Sequence, residues 1–330
     1  MNVIDDHRIE FSDELFEEDE FNRLVLFSKS LADDAPTFDG STLRAPASCG
    51  KLPRTFGRYE LTRLIEKGRA GTTYLAHDVD SANEFAVTVI GSSIVKQMGA
   101  DWITKRLDHL HRDSMAANAV FADYVTPISE VGGIDGEYFF STRYICGKSL
   151  AKVINSNTIS NRQAALTVKA IAESIHQLHK VGIIHRDLEP ANIMLDSDSI
   201  PHILPGTALL HAENKEDEDS AASFQAPEVT SRSDVSAAAE IWSIGAILYN
   251  CLVGEPPSNV SPVPPRKRNT KVARDLETIC LKCLHKQPKQ RYSDAAALAE
   301  DLDRFLEYQP INASPAGLIG NLINKLAKMG

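Results

Sequence analysis

The sequence lacks a hydrophobic run long enough to span a membrane. Its most apolar uncharged stretch, residues 241–254, has 14 residues, whereas a membrane-spanning helix needs about 20. The N-terminus also lacks the basic and then apolar pattern of a signal peptide, because acidic residues begin at Asp5. We therefore expect a cytoplasmic protein in which residues 241–254 form a buried helix.

Cysteine is scarce as well. The chain has 5 cysteines among 330 residues, an odd number that argues against a framework of paired disulfides and favours reduced thiols. Cys280 and Cys283 form a single C-x-x-C within the helical pattern ETICLKCL. Because no second pair of ligands accompanies them, we interpret both as buried apolar thiols and not as a zinc site.

Acidic residues outnumber basic residues, 45 to 35. The net charge of −10 argues against nucleic acid as the main partner. The negative charge is unevenly distributed, since residues 1–55 carry 12 acidic and 6 basic side chains. We interpret residues 1–57 as an acidic extension and linker, with an amphipathic helix predicted over residues 12–31.

The remainder of the chain divides into two predicted lobes. Short alternating apolar runs over residues 58–90 predict antiparallel strands, and the first lobe extends to residue 143. Residues 147–308 are mostly helical, and Ser160 with Gln163 forms a capping box at the start of one helix. The pattern predicts an α+β fold in which a small lobe of antiparallel sheet plus helix precedes a larger helical lobe.

The most specific motif is IIHRDLEPANIMLD at residues 183–196, which sets Asp187 five residues before Asn192. Its spacing resembles the catalytic loop of the eukaryotic-type (Hanks-type) Ser/Thr protein kinase family, in the form of the bacterial members. Further motifs follow the order of that family over residues 58–308, and they involve Gly68, Gly71, Ala86, Glu228 and Arg291. The resemblance implies the two-lobed kinase fold.

The resemblance also implies roles for the residues that match. Asp187 would accept the proton of a substrate hydroxyl and Asn192 would hold a metal ion on ATP. Gly68, Gly71 and Ala86 would contact the nucleotide.

Other matched residues are expected to be structural. His185 and Arg186 would hold the catalytic loop in place, and Glu228 would pair with Arg291. Asp187 is retained under this structural hypothesis as well, because the same hydrogen bonds would need it.

Several positions that handle phosphate, metal or substrate depart from the family. They are Glu66, Thr88, Glu189, Leu204, Pro205 and Ala221. Thr88 stands in place of the Lys that contacts the α- and β-phosphates. Leu204 stands in place of the Asp that binds magnesium, a hard cation that prefers oxygen ligands. Glu66 replaces the first glycine of the phosphate loop, so its carboxylate would face a polyanion.

Two cations in the phosphate loop offer a partial replacement for the missing Lys. Lys67 and Arg69 could reach phosphate, as in kinases that have relocated this Lys. The simpler interpretation is that both are solvated loop charges, and we expect that one because Leu204 still leaves the metal without its ligand.

Two further segments could carry function. The acidic segment over residues 207–224 could place a carboxylate on Arg186 in imitation of a phosphate, or it could be a solvated loop. The tail over residues 309–330 has an amphipathic pattern from residue 315 onward. That part could contact a membrane surface or a partner, or pack on the large lobe.

These observations lead to three hypotheses. The first is a pseudokinase, a binding or regulatory scaffold with protein partners and little or no phosphotransfer. The second is a weak or unconventional Ser/Thr kinase that uses Asp187 as the base, and the third is a nucleotide-binding switch without transfer. ATP with magnesium is a cofactor only under the kinase hypothesis.

Overall fold

The structure is a computed structural model that describes residues 52–81, 83–120, 125–156, 159–207, 210, 223–230, 235–258 and 262–314. The predicted helix over residues 12–31, the amphipathic tail over residues 315–330 and Ala221 lie outside the described residues. Most of the acidic segment over residues 207–224 lies outside them as well.

The described residues form nine strands and eight helices. The strands are β1 (Arg54–Phe56), β2 (Tyr59–Lys67), β3 (Gly71–Asp78), β4 (Glu84–Ile90), β5 (Ile128–Ile134), β6 (Glu137–Arg143), β7 (Gly147–Ser149), β8 (Ile193–Asp196) and β9 (Pro201–Ile203). The helices are α1 (Ser92–Met98), α2 (Ala100–Val120), α3 (Leu150–Ser156), α4 (Asn161–Lys180), α5 (Ala237–Val253), α6 (Pro265–Arg268), α7 (Arg274–Cys283) and α8 (Ala295–Leu306). Short 3-10 turns lie at Pro190–Asn192 and Pro288–Gln290.

The first lobe is built on a six-stranded antiparallel sheet with the order β1-β2-β3-β4-β6-β5. One core lies on the sheet around Tyr59 and Phe139, whose rings meet edge to face. The other core is covered by α1 and α2, with Ile103 and Leu107 buried against strand residues. The α+β fold with a small sheet lobe and a larger helical lobe is therefore as predicted.

The larger lobe is organised around α5. This helix contains most of the uncharged stretch 241–254, and its residues from Ala239 to Leu252 are buried. It packs against α4 and α7, while α8 packs along α4. The prediction of a buried helix at residues 241–254 is confirmed. None of the helices in the described part of the chain is long and apolar enough to cross a membrane.

Local signals fix where several helices begin. The side chain of Ser160 accepts a hydrogen bond from the Gln163 amide at the start of α4, which satisfies one of the four free N–H groups of the first turn. Ser236 does the same for Ala239 in α5, and Asp294 for Ala297 in α8. Each cap is a short polar residue directly before an apolar-periodic segment.

The chain remains attached to the large lobe after α8. The buried carboxylate of Asp301 accepts hydrogen bonds from the backbone amides of Asn312 (2.6 Å) and Ala313 (2.8 Å) and from the Tyr292 hydroxyl (2.8 Å). Ala313 is itself buried. The chain at Asn312 and Ala313 is therefore held against α8, and the predicted amphipathic part begins beyond residue 314.

The cysteines in α5 and α7 should resist alkylation in the native protein. Burial raises the pKa of the Cys251 thiol to about 12 and also raises the pKa values of Cys280 and Cys283. Cys146 is exposed. Because the thiolate is the reactive form, iodoacetamide at pH 8 should modify Cys146 well before the other three, as measured by peptide mass spectrometry. Unfolding in guanidinium should equalise the rates, whereas fast native labelling of Cys280 would contradict the burial.

Candidate functional site

An open cleft of about 550 Å³ lies between the two lobes. Its volume falls within the range of small-molecule sites. The apolar part of its wall includes Ile65, Ala86, Phe140, Ile145 and Met194. The remainder is formed by the loop between β2 and β3 and by residues around Glu189 and Leu204.

Hydrogen bonds to His185 hold the catalytic loop, residues 183–192. Its Nδ1 accepts from the backbone amide of Asp187 at 3.3 Å, and its Nε2 donates to the carbonyl of Leu204 at 2.7 Å. The side chain is buried. The imidazole therefore joins the catalytic loop to the segment that follows β9. Because the bond goes to a backbone carbonyl, it does not depend on the side chain at position 204.

Arg186 adopts a left-handed backbone conformation with φ of +66°, which is uncommon for a residue other than glycine. The buried carboxylate of Glu240 stabilises this turn by accepting from the Arg186 amide at 2.6 Å. The other carboxylate oxygen lies 2.7 Å from Nε2 of His179. Glu240 differs from the family's Asp at this position of α5, yet it anchors the loop backbone.

Both carboxylate oxygens of Asp187 are engaged. Oδ1 lies 3.3 Å from the guanidinium of Arg69, and Oδ2 accepts from the amide and the hydroxyl of Thr207, each at 3.2 Å. The residue is only 6% exposed and is not part of the cleft wall, unlike Arg69 and Thr207. The residue expected to act as a base is therefore covered on the cleft side.

Arg69 is not a solvated loop charge, which corrects the expectation drawn from the sequence. Its guanidinium lies 2.9 Å from Glu189 Oε1 and 3.3 Å from Asp187 Oδ1. One cation thus joins the β2–β3 loop to two acids of the catalytic loop, and we call this contact the Arg69 latch. It forms because Glu189 supplies a carboxylate where the family has Lys.

The three residues before Arg69 are exposed, whereas Ala70 after it is buried. Lys67 and Gly68 face solvent, and Glu66 is 48% exposed with Lys152 4.0 Å away. Gly71 is required by packing, since a Cβ there would lie 1.9 Å from the carbonyl oxygen of Val89 on β4. A close approach of two strands accounts for this glycine without any phosphate.

Thr88 occupies the back of the cleft at the position of the family's Lys. Its hydroxyl lies 2.9 Å from that of Thr73 on β3, and the residue is buried. The carboxylate of Asp113 on α2 lies 3.3 Å from His109 Nε2. The two threonines form a neutral pair where the family places a cation.

The segment after β9 keeps its backbone position without a metal ligand. The Leu204 amide donates to the Asn192 carbonyl at 2.9 Å, and the Asn192 side-chain amide donates to the Asp187 carbonyl at 2.8 Å. Pro205 follows, and a Cβ at Gly206 would lie 2.0 Å from the His185 carbonyl oxygen. These contacts fix the backbone of this segment against the catalytic loop, but Leu204 offers no side-chain oxygen to a cation.

Magnesium-bound ATP does not fit this set of residues. Thr88 brings no charge to the phosphates and Leu204 brings no oxygen to the metal. The cation of the β2–β3 loop, Arg69, is already held by Asp187 and Glu189. Among the described residues, no group of three or more His, Cys, Asp and Glu side chains could hold a metal ion.

Glu228 and Arg291 are brought together in the large lobe. The guanidinium of Arg291 donates to both carboxylate oxygens, at 2.6 and 2.7 Å. It also donates to the carbonyls of Ala238 and His285 and lies over the ring of Trp242. This pair joins the residues after the acidic segment to α5 and to the turn before α8.

Whether the acidic segment contacts Arg186 is outside the described residues. Nε of Arg186 is buried and makes no hydrogen bond within the part of the chain that the structure describes. The idea that a carboxylate of residues 207–224 replaces a phosphate there remains a prediction.

The chain belongs to the protein kinase domain family, whose model matches residues 59–302. Serine/threonine-protein kinase PknB of Mycobacterium leprae is 28% identical over 281 residues, which cover 79% of this chain and 45% of PknB. Serine/threonine-protein kinase PknH of Mycobacterium bovis is 25% identical over 272 residues, with 77% and 45% covered. The chain thus spans less than half the length of these relatives.

Solved structures show the same fold. The PknI kinase domain of Mycobacterium tuberculosis matches with a TM-score of 0.63 at 19% identity, over 78% of this chain and 99% of that domain. The expected family and the two-lobed kinase fold are thereby confirmed.

Sequence reasoning missed two contacts in the site. Thr207 binds Asp187 through its amide and its hydroxyl, and Thr73 completes the neutral pair with Thr88. Thr73 was visible in the sequence as a departure, because the family usually has Val two residues after Gly71, but its contact with Thr88 was not. Thr207 carried no comparable signal.

Proposed function

We infer that this protein is a pseudokinase, a kinase-fold protein that acts by binding a protein partner and transfers little or no phosphate. The observation that carries this proposal is the Arg69 latch over Asp187. Phosphoryl transfer depends almost entirely on positioning and on neutralising charge. Here the carboxylate that would receive the proton is held by an arginine and a threonine, and the groups that would neutralise ATP are replaced.

The retained residues support a structural purpose. His185, Asn192 and Glu240 hold the catalytic loop through contacts that do not require catalysis. A chain that works by presenting surfaces needs such a rigid frame. Partner contact would involve residues 12–31, 207–224 and 315–330, which the sequence marks as acidic or amphipathic, and the last of these could also meet a membrane surface.

Phosphate transfer from ATP is expected to be absent. Full-length protein incubated with radiolabelled ATP and Mg²⁺ or Mn²⁺ should label neither itself nor a general protein substrate above a protein-free background. Asp187→Asn should behave like the wild type, because Asp187 performs no transfer. Labelling that depends on Asp187 would overturn the proposal and establish a weak Ser/Thr kinase.

The binding half of the proposal needs a separate measurement. Full-length protein and Asp187→Asn, each purified from its native cells through an affinity tag, should retain the same protein partner in stoichiometric amount. A partner that is lost with Asp187→Asn would instead connect binding to the catalytic carboxylate, and recovery of no partner would contradict the scaffold.

The open cleft favours a second candidate, a nucleotide-responsive switch without transfer. Its apolar half is not filled by side chains, and its volume of about 550 Å³ is sufficient for a small molecule.

A further inference from the structure

The two halves of the cleft differ in what they offer a ligand. The half around Ala86, Ile145 and Met194 is apolar and open. Ile145 is buried, yet among the described residues its backbone makes no hydrogen bond. A flat heteroaromatic ring could bury its faces there and satisfy this N–H and carbonyl at its edge.

The other half gives no net cation to a polyphosphate. Glu189 and Glu66 are part of its wall, and the buried position at its back is the neutral Thr88. Arg69 is shared between Glu189 and Asp187, so this trio sums to one negative charge. The other two cations of the cleft wall, Lys67 and Arg143, are exposed to water, where their attraction is weak.

Arg69 retains one unused donor. Its Nη1 is buried and has no hydrogen-bond partner among the described residues. Because this atom has no accessible surface, it offers no hydrogen bond to a ligand while the latch is closed. A phosphate group would compete with Glu189 and Asp187 for the same guanidinium and would bring its own charge toward both acids.

We propose that the cleft binds an uncharged heteroaromatic ligand of nucleoside size and that the Arg69 latch excludes nucleoside polyphosphates. The inference rests on the proposed function, because a working kinase would have to admit ATP with its metal. It goes beyond that function because the cleft would prefer an uncharged ligand to ATP, the reverse of what is expected for a kinase. The latch would make the cleft a sensor for a neutral ligand, while the phosphate end stays closed by contacts within the protein.

Calorimetric titration of the full chain with adenosine, with ATP and with ATP plus Mg²⁺ tests the proposal. Adenosine should bind at least tenfold more tightly than ATP, and Mg²⁺ should not reverse the order. Equal or tighter binding of ATP would overturn the inference. Absence of adenosine binding would also overturn it while leaving the scaffold function intact, since only the labelling assay addresses transfer.

The variant Glu189→Gln tests the latch itself. It removes one carboxylate and leaves Arg69 paired with Asp187 alone, so ATP should bind at least fivefold more tightly than to the wild type. Adenosine affinity should change less than twofold. Glu60→Gln is the matched control, because it makes the same charge change at an exposed position on β2 outside the cleft wall. An equal gain in ATP affinity from both variants would contradict the latch.

Discussion

Replacing Arg291 with Ala is expected to lower the free energy of unfolding by about 3 kcal/mol, because its buried guanidinium makes several hydrogen bonds, two of them to a carboxylate. The Arg291 side chain is 0% exposed. It donates to both oxygens of Glu228 and to the carbonyls of Ala238 and His285. Truncation removes these donors together and leaves the Glu228 carboxylate without its partner.

Urea denaturation followed by circular dichroism measures this loss. Arg304→Ala is the matched control, since Arg304 pairs with Glu300 one turn away on α8 and is 35% exposed. Surface pairs of this kind contribute at most about 1 kcal/mol. Arg291→Lys should fall between the two because an ammonium cannot make two parallel bonds to a carboxylate. Equal losses for Arg291→Ala and Arg304→Ala would contradict the role assigned to Arg291.

Much of the fold could be predicted because its signals are local. The uncharged stretch 241–254 has no polar face, so its only stable place is inside the protein, and α5 lies there. Ser160 and Gln163 marked the start of α4 from four residues of sequence. The alternating runs over residues 58–90 indicated antiparallel strands, although the places of β5 and β6 in the sheet required contacts that the pattern does not contain.

The catalytic loop could be predicted for a similar reason. His185, Asp187 and Asn192 contact one another or backbone within about 20 residues of chain, so their spacing carries most of the geometry. The substitutions at Thr88 and Leu204 were also visible, because each falls at a fixed distance from a recognisable motif.

The Arg69 latch could not be predicted in this way. Its partners lie 118 and 120 residues further along the chain, and the contact depends on how the two lobes place their loops. A cation in a loop is ordinarily solvated, since taking it out of water is costly unless a partner compensates. The compensation comes from Glu189, which the sequence showed as a departure without revealing what it would bind.

The departures therefore act together. Thr88 and Leu204 remove the cation and the metal ligand that ATP would need, and Glu189 turns the loop cation toward the catalytic carboxylate. Meanwhile His185 and Asn192 keep the loop in place. The proposed loss of transfer would thus leave the backbone of the catalytic loop in place, a combination that we expect of a binding protein built on a kinase fold.

Glu240 should also stabilise the catalytic loop strongly. Glu240→Ala is expected to lower the free energy of unfolding by about 3 kcal/mol. The carboxylate is 1% exposed and accepts from the Arg186 amide at 2.6 Å while facing His179 at 2.7 Å. Truncation would leave a buried N–H unsatisfied at a residue whose φ is +66°. Limited proteolysis should then cut the catalytic loop faster than in the wild type.

Glu240→Gln separates the hydrogen bond from the charge. Its amide oxygen can still accept from Arg186, but its NH₂ group would face His179 Nε2, which must then become an acceptor. The ring proton would move to His179 Nδ1, which is buried and has no partner among the described residues, so a loss of about 1 kcal/mol is expected. A loss as large as that of Glu240→Ala would show that the charge on Glu240 stabilises the loop. If both Glu240→Ala and Glu240→Gln lowered the free energy of unfolding by less than about 0.5 kcal/mol, the range of neutral surface changes, Glu240 would not stabilise the catalytic loop.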